Sequence, residues 1–184
     1  MSIRSFVSAA LATGAVVALA SVGSAQGPAA MKGMDAPTKA VAVFIPTKGN
    51  SVMGTVTFSK VGEGTKVTAE LTGVPAGKHG FHIHEFGDAS SPDGKAAGSH
   101  FDPKMVKKHG DPNKKDVRHL GDLGNIEAKD DGKATYDAVY PDLPIEVILG
   151  HGVVVHEKAD DFGQPVGNAG GRLAVGVIGV AKGM

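Results

Sequence analysis

The chain has 184 residues, 41% of them hydrophobic, and balances 19 basic against 19 acidic side chains, the make-up of one ordinary globular domain with one core. Zero net charge excludes nucleic acid as a partner, because phosphate recognition needs a basic excess gathered on one face. The absence of cysteine excludes a disulfide framework, a thiolate metal site, a thiol nucleophile and a lipoprotein anchor, which leaves histidine, carboxylate and backbone for chemistry.

In residues 1–25 the only charged side chain is Arg4, residues 6–22 are apolar and small, and Gly23, Ser24 and Ala25 offer a cleavage site. The stretch reads as a secretory signal peptide. A membrane anchor is the alternative, opposed by Ser8, Thr13 and Gly14, which interrupt a run shorter than the roughly 20 apolar residues a spanning helix needs. Export to the periplasm, the cell envelope or the medium follows, with no membrane contact after cleavage. Residues 26–38, rich in Gly, Ala, Pro and Lys and without periodicity, read as a flexible leader. The folded domain is expected over residues 39–184.

Residues 40–46, 51–59 and 65–72 place β-branched and apolar residues in alternation, and turn residues at 47–50 and 62–64 separate them. Such runs predict an antiparallel meander. A break at Val74, Pro75, Ala76 and Gly77 feeds a strand carrying His82 and His84. Residues 87–121 then show almost no apolar alternation, and a loop that long in a compact domain is expected to be functional. A turn near residues 103–108 is the one helical signal. Further strands are expected at 123–127, 134–140, 145–148 with 153–155, and 173–180. Eight short strands, 27 glycines and 5% aromatics suit a closed barrel or a sandwich.

Side chains in a strand repeat every two residues, so His82 and His84 project from one face, close enough to share a metal ion. That spacing also occurs on solvated strands. Downstream, however, stand His100, His109, His119, Asp122 and His156. Three imidazoles and a carboxylate from His100, His109, His119 and Asp122 suit tetrahedral Zn²⁺. An all-nitrogen set of His82, His84, His156 and a shared His100 suits Cu(II). Taken singly, each histidine reads as a surface or core residue. Jointly, six of the eight histidines in loops and strand ends, most beside a glycine, call for one explanation, and a bound metal would also hold a loop that has no core of its own.

The segments Gly80-Phe81-His82-Ile83-His84-Glu85-Phe86-Gly87-Asp88, Gly98-Ser99-His100-Phe101, Lys108-His109-Gly110, Arg118-His119-Leu120-Gly121-Asp122-Leu123-Gly124-Asn125, Val155-His156-Glu157-Lys158-Ala159-Asp160 and Gly167-Asn168-Ala169-Gly170-Gly171-Arg172 resemble copper/zinc superoxide dismutase, in order through residues 39–182. The resemblance implies an eight-stranded antiparallel Greek-key β-barrel, of the immunoglobulin-like sandwich class, with long metal-binding and electrostatic loops. It implies copper on His82, His84, His100 and His156, zinc on His100, His109, His119 and Asp122, and His100 as the bridging catalytic imidazolate. Asp160 matches the carboxylate that joins one histidine of each metal site, and Arg172 the catalytic arginine that guides the superoxide substrate. The implied activity is disproportionation of two superoxide anions to O₂ and H₂O₂ by Cu(II)/Cu(I) cycling beside structural zinc, an antioxidant defence outside the cytoplasm. The expected form is bacterial, exported and cysteine-free.

Three departures from the family pattern stand out. The positions matching the family's disulfide are Ala89 and Val175. Residues 162–171 make a short, uncharged electrostatic loop. His79 and His151 match no ligand, and are expected to order the barrel wall and to lie on the surface, respectively. An idle copper/zinc-binding or copper-delivery module is the competing reading, but delivery relatives commonly lose copper ligands or add cysteines, and this chain does neither. A purely structural barrel leaves the ligand set unexplained. The family forms dimers in more than one way and also monomers, so a homodimer is one expectation.

Overall fold

The computed structural model describes residues 36–114 and 117–182. The expected signal peptide and residues 26–35 of the leader lie outside the described residues. The described residues form one compact unit.

Ten strand segments run in chain order as β1 (Lys39–Val43), β2 (Ile45–Pro46), β3 (Met53–Val61), β4 (Gly64–Thr72), β5 (Gly77–His84), β6 (Asp122–Ala128), β7 (Ala134–Tyr140), β8 (Gly152–His156), β9 (Arg172–Val177) and β10 (Gly179–Val180). All pair antiparallel in one curled sheet of order β10-β1-β3-β4-β7-β6-β5-β8-β9-β2. Where eight strands were expected, two of the ten segments are only two residues long. Phe44 interrupts the first expected strand and Ile178 the last, and both side chains are buried in the core. The pairing on either side keeps one offset: Ala40 faces Val180 and Val41 faces Gly179, then Ile45 faces Val175 and Pro46 faces Ala174.

The alternation read from the sequence is the alternation of burial. Val56 and Phe58 on β3, and Val67, Ala69 and Leu71 on β4, point into one core with Leu123, Ile126, Val153 and Val155. Burying each large aliphatic or aromatic side chain contributes roughly 1.5–3 kcal/mol. The β3–β4 hairpin turns on two residues, Gly62 and Glu63, with Val61 facing Gly64. Gly62 sits at φ 60, left-handed backbone that a glycine takes without a Cβ clash.

One local expectation fails. Residues 145–148 form a single helical turn, α1 (Ile145–Ile148), not a strand. Pro144, at φ −66, starts the turn, and Ile145 and Ile148, three apart, then fall on one buried face. The turn expected near residues 103–108 is present at 103–104, where Met105 N–H donates to Asp102 O at 3.0 Å, and a short 3-10 turn that was not expected forms at Lys95–Ala97. No helix among the described residues is long and apolar enough to cross a membrane.

The strand that matters for function is β5. Its core face carries Phe81 and Ile83, yet the opposite face, His82 and His84, is equally buried. The loop between β5 and β6 covers that second face.

Candidate metal centre

The loop after β5 folds back along the strand it has left. Glu85 N–H donates to Ser99 O at 2.9 Å, Phe101 N–H to Ile83 O at 2.9 Å, and Ile83 N–H to Gly121 O at 2.8 Å. These bonds bring His100 beside His84, and the two residues form a β-bridge. At Gly121 the backbone approach leaves no room for a side chain, since a Cβ there would stand 2.3 Å from Ile83 O. Along its other edge β5 pairs with β8, which ends at His156, and β6 begins at Asp122.

The six predicted histidines and Asp122 therefore meet, all of them buried. His82, His84, His100 and His156 form one group and His100, His109, His119 and Asp122 a second, with the donor atoms of each group within 4.8 Å of one another. His100 belongs to both. In the first group His84 Nε2 lies 3.3 Å from His156 Nε2. In the second, the Nδ1 atoms of His100, His109 and His119 converge on Asp122 Oδ1 at 2.8, 3.0 and 3.3 Å. Asp122 Oδ2 accepts the backbone N–H groups of Gly110 and His119, each at 3.1 Å.

Asp160 joins the groups from behind. Its Oδ2 takes His82 Nε2 at 2.9 Å and His109 Nε2 at 2.8 Å. Its own backbone is held by Asn125, whose Oδ1 accepts Asp160 N–H at 2.7 Å and whose Nδ2 donates to Asp160 O at 3.0 Å. Engaged at Nε2, both histidines turn Nδ1 away from Asp160. Those Nδ1 atoms are the buried side-chain polar atoms without a hydrogen-bond partner among the described residues; His109 Nδ1, though 3.0 Å from Asp122 Oδ1, is outside hydrogen-bonding geometry. An orphaned buried imidazole nitrogen is costly unless a cation takes its lone pair. Donor atoms, charge and orphaned lone pairs all fit two metal ions sharing His100.

The electrostatics of the first group agree. Burial pushes His82 down to about 4 against the pull of Asp160, and pushes His156 down to about 3. Burial likewise lowers His84 and His100. These rings are neutral near pH 7 and offer lone pairs. For His109 burial acts downward too, but the adjacent carboxylates of Asp122 and Asp160 outweigh it and raise the ring to about 9, so an ion at Nδ1 must displace a proton. Burial alone would raise both aspartates, whereas their histidine partners hold them well below the usual carboxylate range.

A cleft of about 620 Å³ opens on the first group, with His84, His100, His156, Arg172, Lys48 and Glu157 in its lining. The Arg172 guanidinium donates to Gly94 O and Gly98 O, and its main-chain carbonyl accepts Thr47 Oγ1 at 2.6 Å. His79 is buried away from both groups, its ring between Pro75 O and His156 O at 2.8 Å each, in keeping with an ordering role in the wall. His151 lies half-buried at the surface, where it bonds Glu85 O through Nδ1 at 2.6 Å and packs against Phe101 with ring centres 4.0 Å apart. Val175 packs with Ala97 and Val154, and Ala89 lies against that small cluster.

Reasoning from sequence missed four contributors: Asn125, Phe162, Gln164 and Thr47. Asn125 lies inside a quoted motif but carried no role there, and the other three leave no local pattern.

A family model described as Copper/zinc superoxide dismutase (SODC) matches residues 52–178. An extracellular superoxide dismutase [Cu-Zn] of Drosophila melanogaster is 43% identical over 161 residues, covering 78% of this chain and 86% of that protein. A crystal structure of the clock protein EA4 aligns with a TM-score of 0.73 at 40% identity, covering 81% of this chain and 98% of that one. The Drosophila relative lends no support to the expected bacterial form.

Proposed function

The chain belongs to the copper/zinc superoxide dismutase family and is an oxidoreductase of that class, with copper and zinc as its metals; from that premise we propose how its residues serve the disproportionation of two superoxide anions to O₂ and H₂O₂. His82, His84, His100 and His156 hold copper, and His100, His109, His119 and Asp122 hold zinc. The observation that carries this assignment is the pair of unpartnered nitrogens, His82 Nδ1 and His109 Nδ1, one in each group. Four imidazoles suit copper, and three with a carboxylate suit zinc. When bound, copper supplies one-electron exchange with superoxide between its cupric and cuprous forms, and zinc supplies a fixed charge without redox chemistry.

The protein's own groups do the rest. Arg172 draws the anion into the cleft: two carbonyls tie its guanidinium, and N–H donors remain to meet the substrate. Lys48 adds to the positive field, while Lys95 is offset by Asp93 at 2.9 Å. Such attraction weakens as salt screens it. His100, anchored at Nδ1 by Asp122, leaves Nε2 on the side of His82, His84 and His156, where it can hold or release a proton for the departing product. Asp160 keeps His82 and His109 turned to their groups.

The ten strand segments read as an eight-stranded Greek-key barrel. Two features support this: β1 with β2 and β10 with β9 share one pairing offset, and consecutive β5, β6 and β7 lie side by side with β8 returning beside β5. A homodimer is the proposed assembly, formed on the exposed apolar row of Val43, Ile45 and Val177. Residues 1–25 are the proposed signal peptide, and the extracellular relative supports export.

The test is superoxide decay by the copper- and zinc-loaded chain at low and high salt, beside a His156→Ala control. Fast, copper-dependent decay that slows with salt and collapses in the control is expected. Slow decay with both metals bound would sink the catalytic reading in favour of a binding module.

A further inference from the structure

One ligand is held differently from the others. The side-chain amide of Gln164 spans the backbone of His109: Nε2 donates to His109 O at 2.7 Å and Oε1 accepts His109 N–H at 3.1 Å. One side chain thus satisfies both main-chain groups of a residue 55 positions away. Two residues earlier, the Phe162 ring stacks on the His109 imidazole, with centres 6.3 Å apart and planes at 24°. Phe162 sits at φ 59, left-handed backbone that a bulky side chain rarely takes, so contacts and not local preference hold it there. Asp160 fixes His109 Nε2. Face, edge and backbone of His109 are all engaged by residues 160–164, and Nδ1 alone is left for the second group.

The same segment runs on into the cleft wall. Gly167 N–H closes onto Gly163 O at 2.7 Å, and Val166, Gly167, Ala169, Gly170 and Gly171 line the cleft. Gly167 lies directly on the Asp160–His109 pair: a Cβ there would stand 2.2 Å from Asp160 Oδ1 and 3.1 Å from His109 Nε2.

We propose that Gln164 is a positioning residue for His109, its amide fixing the backbone from which that imidazole presents Nδ1 to the second ligand group. The proposal rests on the assignment of zinc to that group. An ion that draws His109 Nδ1 inward pulls on a backbone clamped to Gln164.

Asn168 supplies the control. It steadies the same segment, with Nδ2 donating to Asp161 Oδ2 at 2.7 Å, but its bonds go to Asp161 and not to His109. Gln164→Ala, Gln164→Met and Asn168→Ala are compared by zinc competition against a chelator, by the visible spectrum of Co(II) placed in the zinc group, and by amide exchange with and without zinc. Removing the clamp is expected to weaken zinc about tenfold and to change the Co(II) spectrum. Asn168→Ala is expected to quicken exchange in the segment while leaving zinc affinity within about twofold of the parent. Undiminished zinc affinity in both Gln164 variants overturns the proposal alone, as does equal weakening in all three. A parent chain that takes up no zinc overturns the metal assignment and this inference with it.

Discussion

Packing of Ala89 against the cluster of Val175, Ala97 and Val154 allows a quantitative test of how a cysteine-free chain holds its long loop. The perturbation is Ala89→Cys with Val175→Cys, which places two thiols where apolar side chains now meet. A bridge there closes a loop of roughly 90 residues, for which the chain-entropy model gives about 4–5 kcal/mol of stabilisation. Against this stands truncation of Val175, which is 1% exposed. Trimming a buried valine costs about 1 kcal/mol in lost contact. The oxidised variant should therefore exceed the parent by about 3 kcal/mol, or roughly 6–12 °C in melting temperature for a chain of this length. The reduced variant should fall about 1 kcal/mol below the parent. The assay is urea unfolding of metal-free protein with and without reductant, with a thiol count on each sample. The parent, having no cysteine, should not respond to reductant. A double variant that stays reduced in air, or whose oxidised and reduced forms unfold at the same urea concentration, would refute the packing argument.

Two further predictions concern the metal centre. Asp160→Asn keeps the backbone clamp to Asn125 but removes the charge shared by His82 and His109, so both metals should bind about 10–100-fold more weakly in a chelator competition; unchanged affinity would deny Asp160 its bracing role. Stability of the metal-free protein should peak near neutral pH. His82 and His156 are depressed to about 4 and about 3 from an ordinary 6.5, so the unfolded chain binds more protons in that interval and stability is lost as pH falls through it. His109, raised to about 9, contributes stability that is complete below 6.5 and is lost as pH rises through 9. Urea midpoints from pH 4 to 9 that stay flat would contradict the protonation states assigned to these rings.

The residues of the two proposed ligand groups were legible because their chemistry is local or repeated. Period two in a strand puts His82 and His84 on one face, and a long loop without apolar alternation needs another source of order, which its histidines supply. Most strands were legible by the same alternation, and residues 134–140 coincide with β7. What the pattern could not convey depends on partners distant in sequence. Ile145, Glu146, Val147 and Ile148 read as a strand by propensity, yet Pro144 and a core that accepts two side chains three apart make them a helical turn. His151, solitary in sequence, finds Phe101 and the Glu85 carbonyl only in the folded chain. Gln164 is an unremarkable residue until His109 arrives beneath it.

Pairing of β1 with β10 and of β2 with β9 joins the first strands of the unit to its last. During biosynthesis β1 emerges roughly 140 residues before β10, and the partners of β2 arrive only with Ala174 and Val175. Until then the nascent chain carries open strand edges at β1, β2 and β8, the surfaces on which unfinished β-proteins associate with one another. A premature stop before Arg172 would spare every proposed metal ligand and still leave those edges bare. Such a product should be lost to aggregation or proteolysis before its site could be loaded, so β9 and β10 act as the lock on a centre to which they give no proposed metal ligand.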